Sequence, residues 1–186
     1  AKNKGVPVYD LKSLKARRDV FESYLRTKHP SLVFFNGHGN QGNIYGHNDQ
    51  PLLSAGKNDR ITIGTIVYAR SCDAGRKLGK SITKLGTRTF IGYINKFIFS
   101  YQQNKTTKPL RDTLAGLFLK PSNLVVTTLL KGHTTEEAHR RSTRQMYRNF
   151  FKMLSSSATS EEQYSAKWLW NNLQSQVLYG DGKAKI

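Results

Sequence analysis

Apolar positions fall into two rhythms along the chain: short unbroken runs, and longer stretches in which apolar side chains recur every three or four residues. Runs of the first kind suit strands buried on both faces, and the second kind suits helices with one buried side. "VPVYDL" (6–11) reads as a short strand. It leads into "SLKARRDVFESYLRTKHP", where Leu14, Phe21, Tyr24 and Leu25 share a helical face that ends at Pro30. "LVFF" (32–35) is too short for a helix and apolar on both faces, as expected of a central parallel strand, and "TIVYARSC" (65–72) is a second such run. The residues between them are rich in Gly, Asn and Asp and read as loop, with room for a small ribbon. "DAGRKLGKSITKLG" then sets Ala74, Leu78, Ile82 and Leu85 on the face of a helix starting near Asp73, and "TFIGYI" (89–94) is the next buried strand.

The remaining half reads as mostly helical. "PLRDTLAGLFLK" is helical, "NLVVTTLL" is ambiguous, and a longer helix opens on a capping box, Thr134 to Glu137. That helix carries Tyr147, Phe150, Phe151 and Leu154 as an apolar stripe. "SSSATSEEQ" (155–163) reads as a linker, "YSAKWLWNNL" as an amphipathic helix and "QVLYGD" as a terminal strand. Alternation of short apolar strands with helices predicts an α/β domain with a largely parallel sheet.

Composition narrows the setting. The 186 residues suit one domain, 1–186, and no apolar run approaches the roughly 18 residues of a membrane span. A single cysteine forms no internal disulfide, and without a signal peptide the expectation is a reducing, cytoplasmic location with no membrane partner. Thirty Lys and Arg against twelve Asp and Glu give a formal charge of +18, which draws polyanions such as nucleic acid or acidic proteins. The basic residues are spread along the chain and not gathered in a tail.

Two residues carry candidate chemistry. His38 follows "LVFF" between two glycines, and Cys72 closes "TIVYARSC". In open α/β sheets functional groups collect beyond the carboxyl ends of the strands, so adjacent parallel strands would deliver both to one edge. A thiolate is a strong nucleophile, favoured at a helix N-terminus, and the helix expected near Asp73 would begin directly after Cys72. An imidazole beside it can protonate the amine that leaves when an amide is cleaved. The backbone N–H groups of Gly39 and Cys72 could then stabilise the oxyanion. Taken singly, the cysteine could equally be a small buried hydrophobe and the histidine an ordinary loop residue.

The order "NGHG", then "ARSCDAG" followed by a helix, resembles the caspase-like (clan CD) cysteine peptidases, a group that includes caspases, gingipains, legumains, separase and CHAT-domain proteases. "FIGYINKFIF" and "LYGD" look like the next core strand and loop and the closing strand of the gingipain and CHAT-like branch. The resemblance covers residues 32 to about 181. It implies a caspase/haemoglobinase-like three-layer sandwich with a mostly parallel sheet, and a cysteine endopeptidase acting on a protein substrate. His38 and Cys72 match the family's dyad, and the backbone of Gly39 its oxyanion donor. The family's first strand and first helix normally precede a segment like "AKNKGVPVYDL", so they are expected to be missing here, whether trimmed, processed or supplied by another segment. An activator or a dimer partner is also compatible with this clan. No cofactor is implied.

Other constellations compete. Asp73, beside the nucleophile, and the more distant Asp49 could receive a basic substrate residue, although Asp73 also suits a helix first turn. Asn95, in the "YINKF" loop, is placed by the resemblance to line the substrate pocket. His38, His47 and Asp49 form the only local cluster of metal-binding types, without zinc spacing, so no metal is expected. Arg141, Arg144 and Arg148, with Arg140 beside them, make a helical stripe that suits RNA, DNA, an acidic protein face or plain solvation. The competing functional class is therefore a binding module, either a silent caspase-like fold or a basic nucleic-acid-binding domain.

Overall fold

A computed structural model describes residues 5–186. Among these the order is α1 (Arg18–Lys28), β1 (Leu32–Asn36), β2 (Asn43–Tyr45), β3 (Pro51–Ser54), β4 (Ile66–Arg70), α2 (Leu78–Lys84), β5 (Thr89–Tyr93), α3 (Thr113–Leu129), α4 (Thr135–Met153), α5 (Ser160–Ser175) and β6 (Gln176–Gly180). The main sheet runs β1-β4-β5-β6, with β1, β4 and β5 parallel and β6 antiparallel to β5. β2 and β3 form a separate antiparallel ribbon. The expected α/β class with a mostly parallel sheet is what the chain adopts.

Side-chain alternation along the strands builds two cores. Ile66, Tyr68, Ile91 and Tyr93 face α3, α4 and α5, where Phe118, Leu129, Met146 and Leu169 pack on them. Val67, Ala69 and Phe90 face the other way, against Phe21 and Leu25 of α1, Leu53 of the ribbon and Leu78 and Ile82 of α2. Helices thus cover both faces, which is why β4 is apolar at four successive positions. Inside the first core buried polar side chains are joined by hydrogen bonds. Tyr68 Oη lies 2.5 Å from Ser122 Oγ, while Gln176 Nε2 donates to Tyr93 Oη at 2.8 Å and to Ser142 Oγ at 3.1 Å. Burial pushes both tyrosine pKa values up, Tyr68 furthest.

Several local expectations change. "VPVYDL" forms no strand: Val8 and Tyr9 are exposed, and Tyr9 packs edge-on against Tyr24 at 5.4 Å, so the segment lies on α1 instead of finding a strand partner. Leu14 is likewise exposed, outside α1, whose buried face is Phe21 and Leu25. "LVFF" lies at the sheet edge and not in its centre, leaving Phe34 39% exposed over Tyr68. Of the stripe on α4, Phe150 packs on Trp170, but Tyr147, Phe151 and Leu154 remain exposed while Ala138, Ser142, Met146 and Met153 face the core. The expected linker is a short turn whose Thr159 forms the complete capping box with Glu162. At α4 the box is only half made, because Glu137 turns its carboxylate to Arg140 and Arg141.

"NLVVTTLL" belongs to α3, which continues through Pro121. A proline there has no N–H for the carbonyl of Leu117, four residues earlier. Asn149 of α4 supplies the missing donor, its Nδ2 lying 2.7 Å from Leu117 O. Asn149→Ala is expected to cost about 1–2 kcal/mol by leaving that carbonyl unpaired. In a Pro121→Ala background the cost should shrink sharply, which a double-mutant cycle by urea denaturation will show.

A second expectation concerns pH. His139 of α4 is partly buried, with Nε2 3.3 Å from Gln176 O, and burial lowers its pKa below the ordinary 6.5. Between the depressed native value and the unfolded one, the unfolded chain binds more protons, so stability rises with pH through that window. The contribution is present above the unfolded value and lost as pH falls. Melting curves at pH 5.5 and 7.5 should differ more for the wild type than for His139→Gln.

Candidate active site

The parallel register places the two candidate residues. Every β1 residue pairs with one 34 positions further on, from Leu32 with Ile66 to Asn36 with Arg70. His38 and Cys72 have the same offset, each two residues beyond its strand. One more bond extends the pairing just beyond β1, Gly37 N–H donating to Arg70 O at 3.3 Å. At Gly39 a Cβ would fall 2.9 Å from both Cβ and Oγ of Ser71 and 3.2 Å from Asn43 O. Only a residue without a side chain allows the His38 loop to lie this close to the Cys72 loop.

Backbone donors are left over at this junction. Gly39 faces Ile44 in an isolated antiparallel bridge. Its flanking bonds are Tyr45 N–H to His38 O at 3.1 Å and Asn40 N–H to Asn43 O at 2.9 Å. That pattern makes Gly39 and Ile44 the pair that exchanges no bonds, so alternation turns the Gly39 N–H away from β2. Neither this N–H nor that of Cys72 has a partner among the described residues. Both expected oxyanion donors are therefore unpaired. His38 is exposed, Cys72 is half-buried, and no hydrogen bond joins them.

The backbone turns sharply after Cys72. Asp73 has φ of 57°, a left-handed conformation that Asp tolerates better than most residues. Its N–H donates to Asn95 O at 3.2 Å, Gly75 N–H to Tyr93 O at 2.9 Å, and Leu78 N–H to Gln41 O at 2.8 Å. Because these donors serve neighbouring loops, α2 begins at Leu78 and not near Asp73. This corrects the expectation of a helix N-terminus directly after Cys72.

Asp73 is likewise not a free carboxylate, since its Oδ1 lies 3.5 Å from Arg76 Nε. Arg76 also donates to Ile94 O and, at 2.7 Å, to Asn95 Oδ1, which ties the turn after Cys72 to the loop after β5. Asn95 is thus engaged as an acceptor for Arg76. The loop itself is held by buried Asn172, whose side chain receives Ile98 N–H at 3.0 Å and donates to Ile98 O at 2.5 Å. Asp49 is exposed on the turn beyond β2, where neighbouring His47 N–H bonds to Ala16 O. No contact among the described residues brings it to Cys72.

Sequence reading passed over Arg70, Arg76 and Asn172. The signal for Arg70 was present, as an arginine closing a run of buried residues, "IVYAR". Elsewhere the basic stripe on α4 is divided. Arg140 and Arg141 engage Glu137, whose carboxyl is held below its ordinary pKa by hydrogen bonds from Arg141 and then Arg140. Arg144 and Arg148 are exposed without a carboxylate partner among the described residues. Among the described residues no three His, Cys, Asp or Glu side chains gather as a metal site, and no helix is long and apolar enough to cross a membrane. Two surface grooves, of about 690 and 430 Å³, lie away from Cys72, between α1 and the 57–61 segment and between α3 and α4. No known family model matches the chain, and no curated protein is significantly similar to it.

Proposed function

We propose that this chain is a caspase-like cysteine peptidase that cleaves a protein substrate with Cys72 as nucleophile and His38 as proton carrier. The observation that carries the reading is the shared offset of His38 and Cys72 beyond paired parallel strands, with two unpaired N–H groups beside them. Helices on both faces of a mostly parallel sheet and an antiparallel last strand also favour the family's sandwich architecture.

In this reading the thiol proton of Cys72 passes to His38, directly or through water, the thiolate sulfur attacks the scissile carbonyl carbon, and the carbonyl electrons move to oxygen. The N–H groups of Gly39 and Cys72 hold that oxyanion. Collapse of the tetrahedral adduct breaks the C–N bond, and His38 delivers a proton to the leaving amine. Water, deprotonated by His38, then attacks the thioester and releases the acid and the thiol. Because the imidazole acts on the leaving group, a resting bond between His38 and Cys72 is not required.

The test is cleavage of a fluorogenic peptide library varied at the residue before the scissile bond, run on wild type, Cys72→Ala and His38→Ala. Turnover by the wild type that both replacements remove supports the dyad. Turnover that survives Cys72→Ala defeats it. An inert wild type with salt-sensitive nucleic-acid affinity that depends on Arg144 and Arg148 would favour the binding class.

A further inference from the structure

Large aromatic side chains and cations share the outer surface of α4 and α5. The inner surface of this helix pair belongs to the first core, where Met146, Met153 and Leu169 pack on the sheet. On the outside Tyr147, Phe151 and Trp170 are 50%, 52% and 41% exposed. Their rings are joined through one another, Tyr147 to Phe151 at 4.7 Å, Phe151 to Phe150 at 5.5 Å and Phe150 to Trp170 at 4.9 Å between centroids. Partly buried Phe150 thus links the two helices and fixes three open rings around itself.

Positive charge is interleaved with these rings. From Ala138 to Thr159 the chain has five Lys or Arg and no Asp or Glu. Arg140 and Arg141 are engaged by Glu137, whereas Arg144, Arg148 and Lys152 are exposed and meet no carboxylate among the described residues. Arg144 lies three residues before Tyr147 and Arg148 three before Phe151, so each guanidinium shares a helical face with a ring. The two arginines stand one turn apart, about 6 Å along the helix axis.

This combination selects among polyanions. An acidic peptide would satisfy the guanidiniums and leave the rings in water. An anionic bilayer suits helices whose charged and apolar faces are segregated, whereas here arginines and rings alternate on one face. A duplex keeps its bases stacked on one another and offers no free ring. A single strand presents flat base faces and phosphates together, which aromatic side chains and cations receive at the same time.

We propose that the outer face of α4 and α5 binds single-stranded nucleic acid, with bases stacked on Tyr147, Phe151 and Trp170 and phosphates held by Arg144, Arg148 and Lys152. The inference does not rest on the peptidase reading, since none of these residues belongs to the His38 and Cys72 edge.

The test is fluorescence anisotropy of the full chain with labelled oligothymidylate over a range of salt concentrations, with melting temperatures confirming that each variant is folded. A formal charge of +18 gives some affinity for any nucleic acid, so the decisive quantities are comparisons. The wild type should prefer the single strand to a duplex of equal length by about tenfold or more. Tyr147→Leu and Phe151→Leu, which keep apolar bulk and lose the flat ring, should each weaken single-strand binding about fivefold or more and leave duplex binding unchanged. Arg144→Gln with Arg148→Gln should lower the slope of log affinity against log salt by about 1.4, the share of two phosphates on a single strand. Lys57→Gln with Arg60→Gln, an equal loss of charge on the groove beside α1, should leave that slope unchanged. In a Trp168→Phe chain Trp170 is the sole tryptophan, and its fluorescence should be quenched by the oligonucleotide.

Equal affinity for duplex and single strand, equal effects of the two charge pairs, or an unresponsive Trp170 would reduce the binding to bulk charge and overturn the inference. Preferential binding of phosphatidylserine vesicles or of polyglutamate in competition would also overturn it, assigning the face to a membrane or an acidic protein. Repeating the assays on Cys72→Ala makes them independent of turnover. Stacking-dependent binding by a chain that cleaves no peptide would retain this surface and remove the peptidase, and cleavage without such binding would do the reverse.

Discussion

Replacing Cys72 by alanine is expected to lower peptide cleavage by a factor on the order of 10⁴ to 10⁶, to background, while the far-UV circular dichroism and melting temperature stay close to those of the parent. The two halves of this result have separate physical origins. Sulfur is the only protein atom in the proposed path that forms a covalent bond to the substrate carbon, so no neighbouring group can substitute for it. The fold is nearly indifferent, because Cys72 is half-buried and lies in the turn after β4, outside both cores. His38→Ala should cost less, about 10² to 10⁴, since proton delivery to the leaving amine can be taken over weakly by water. Combining both replacements should be no worse than losing the cysteine alone, because the histidine has no step to assist once the nucleophile is gone. Single-turnover and steady-state assays on the three variants would reveal any other ordering. Equal, modest losses would mean that the two residues shape a surface and do not carry a reaction.

Phe90→Ala should be among the most damaging core substitutions, at about 3–5 kcal/mol and on the order of 10 °C in melting temperature. The ring is fully buried on β5 and stacks on Tyr179 of β6 at 6.2 Å. Two glycines are shaped around it. A Cβ at Gly79 of α2 would meet ring carbons at 2.5 Å, and one at Gly92 would meet the ring tip at the same distance. With no side chains at those positions, nothing can relax into the space that the ring vacates, and the cavity persists. The reverse change, Gly79→Ala, overpacks the same contact, so the pair should be partly compensatory when combined. Denaturant titrations of the two single variants and the double would read this coupling. Independent, additive losses would show that α2 has moved away from the sheet.

The sequence made some of these elements legible and hid others, for reasons that can be traced to particular residues. β4 and β5 are readable because burial on both faces leaves an uninterrupted apolar run. "LVFF" is just as apolar, yet it is an edge strand, and no local feature distinguishes Phe34 over solvent from a phenylalanine in the centre. The start of α2 is misplaced because its turn is stabilised by carbonyls of Gln41, Tyr93 and Asn95, which are distant in sequence. Helix α3 crosses its own proline with help from Asn149, again beyond any local window. His38 and Cys72 were legible as an edge pair because two strand runs ended at equivalent points. The anchoring of Arg70 was not, because it depends on the side chains of Asn36 and Asn123, amides that carry no motif of their own.

The constant offset between β1 and β4 has a consequence for how such a chain can diversify. Alignment of His38 with Cys72 is enforced across the sheet, by strand pairing, and not along the covalent path that joins them. The stretch from Gly46 to Gln50, at the tip of the β2–β3 ribbon, can therefore lengthen, shorten or be exchanged without displacing either residue. The tip, beyond the β2 residues that bond to the His38 loop, is in effect a replaceable cassette mounted beside a fixed frame, so that the outline of this edge and the spacing of His38 and Cys72 are free to evolve separately.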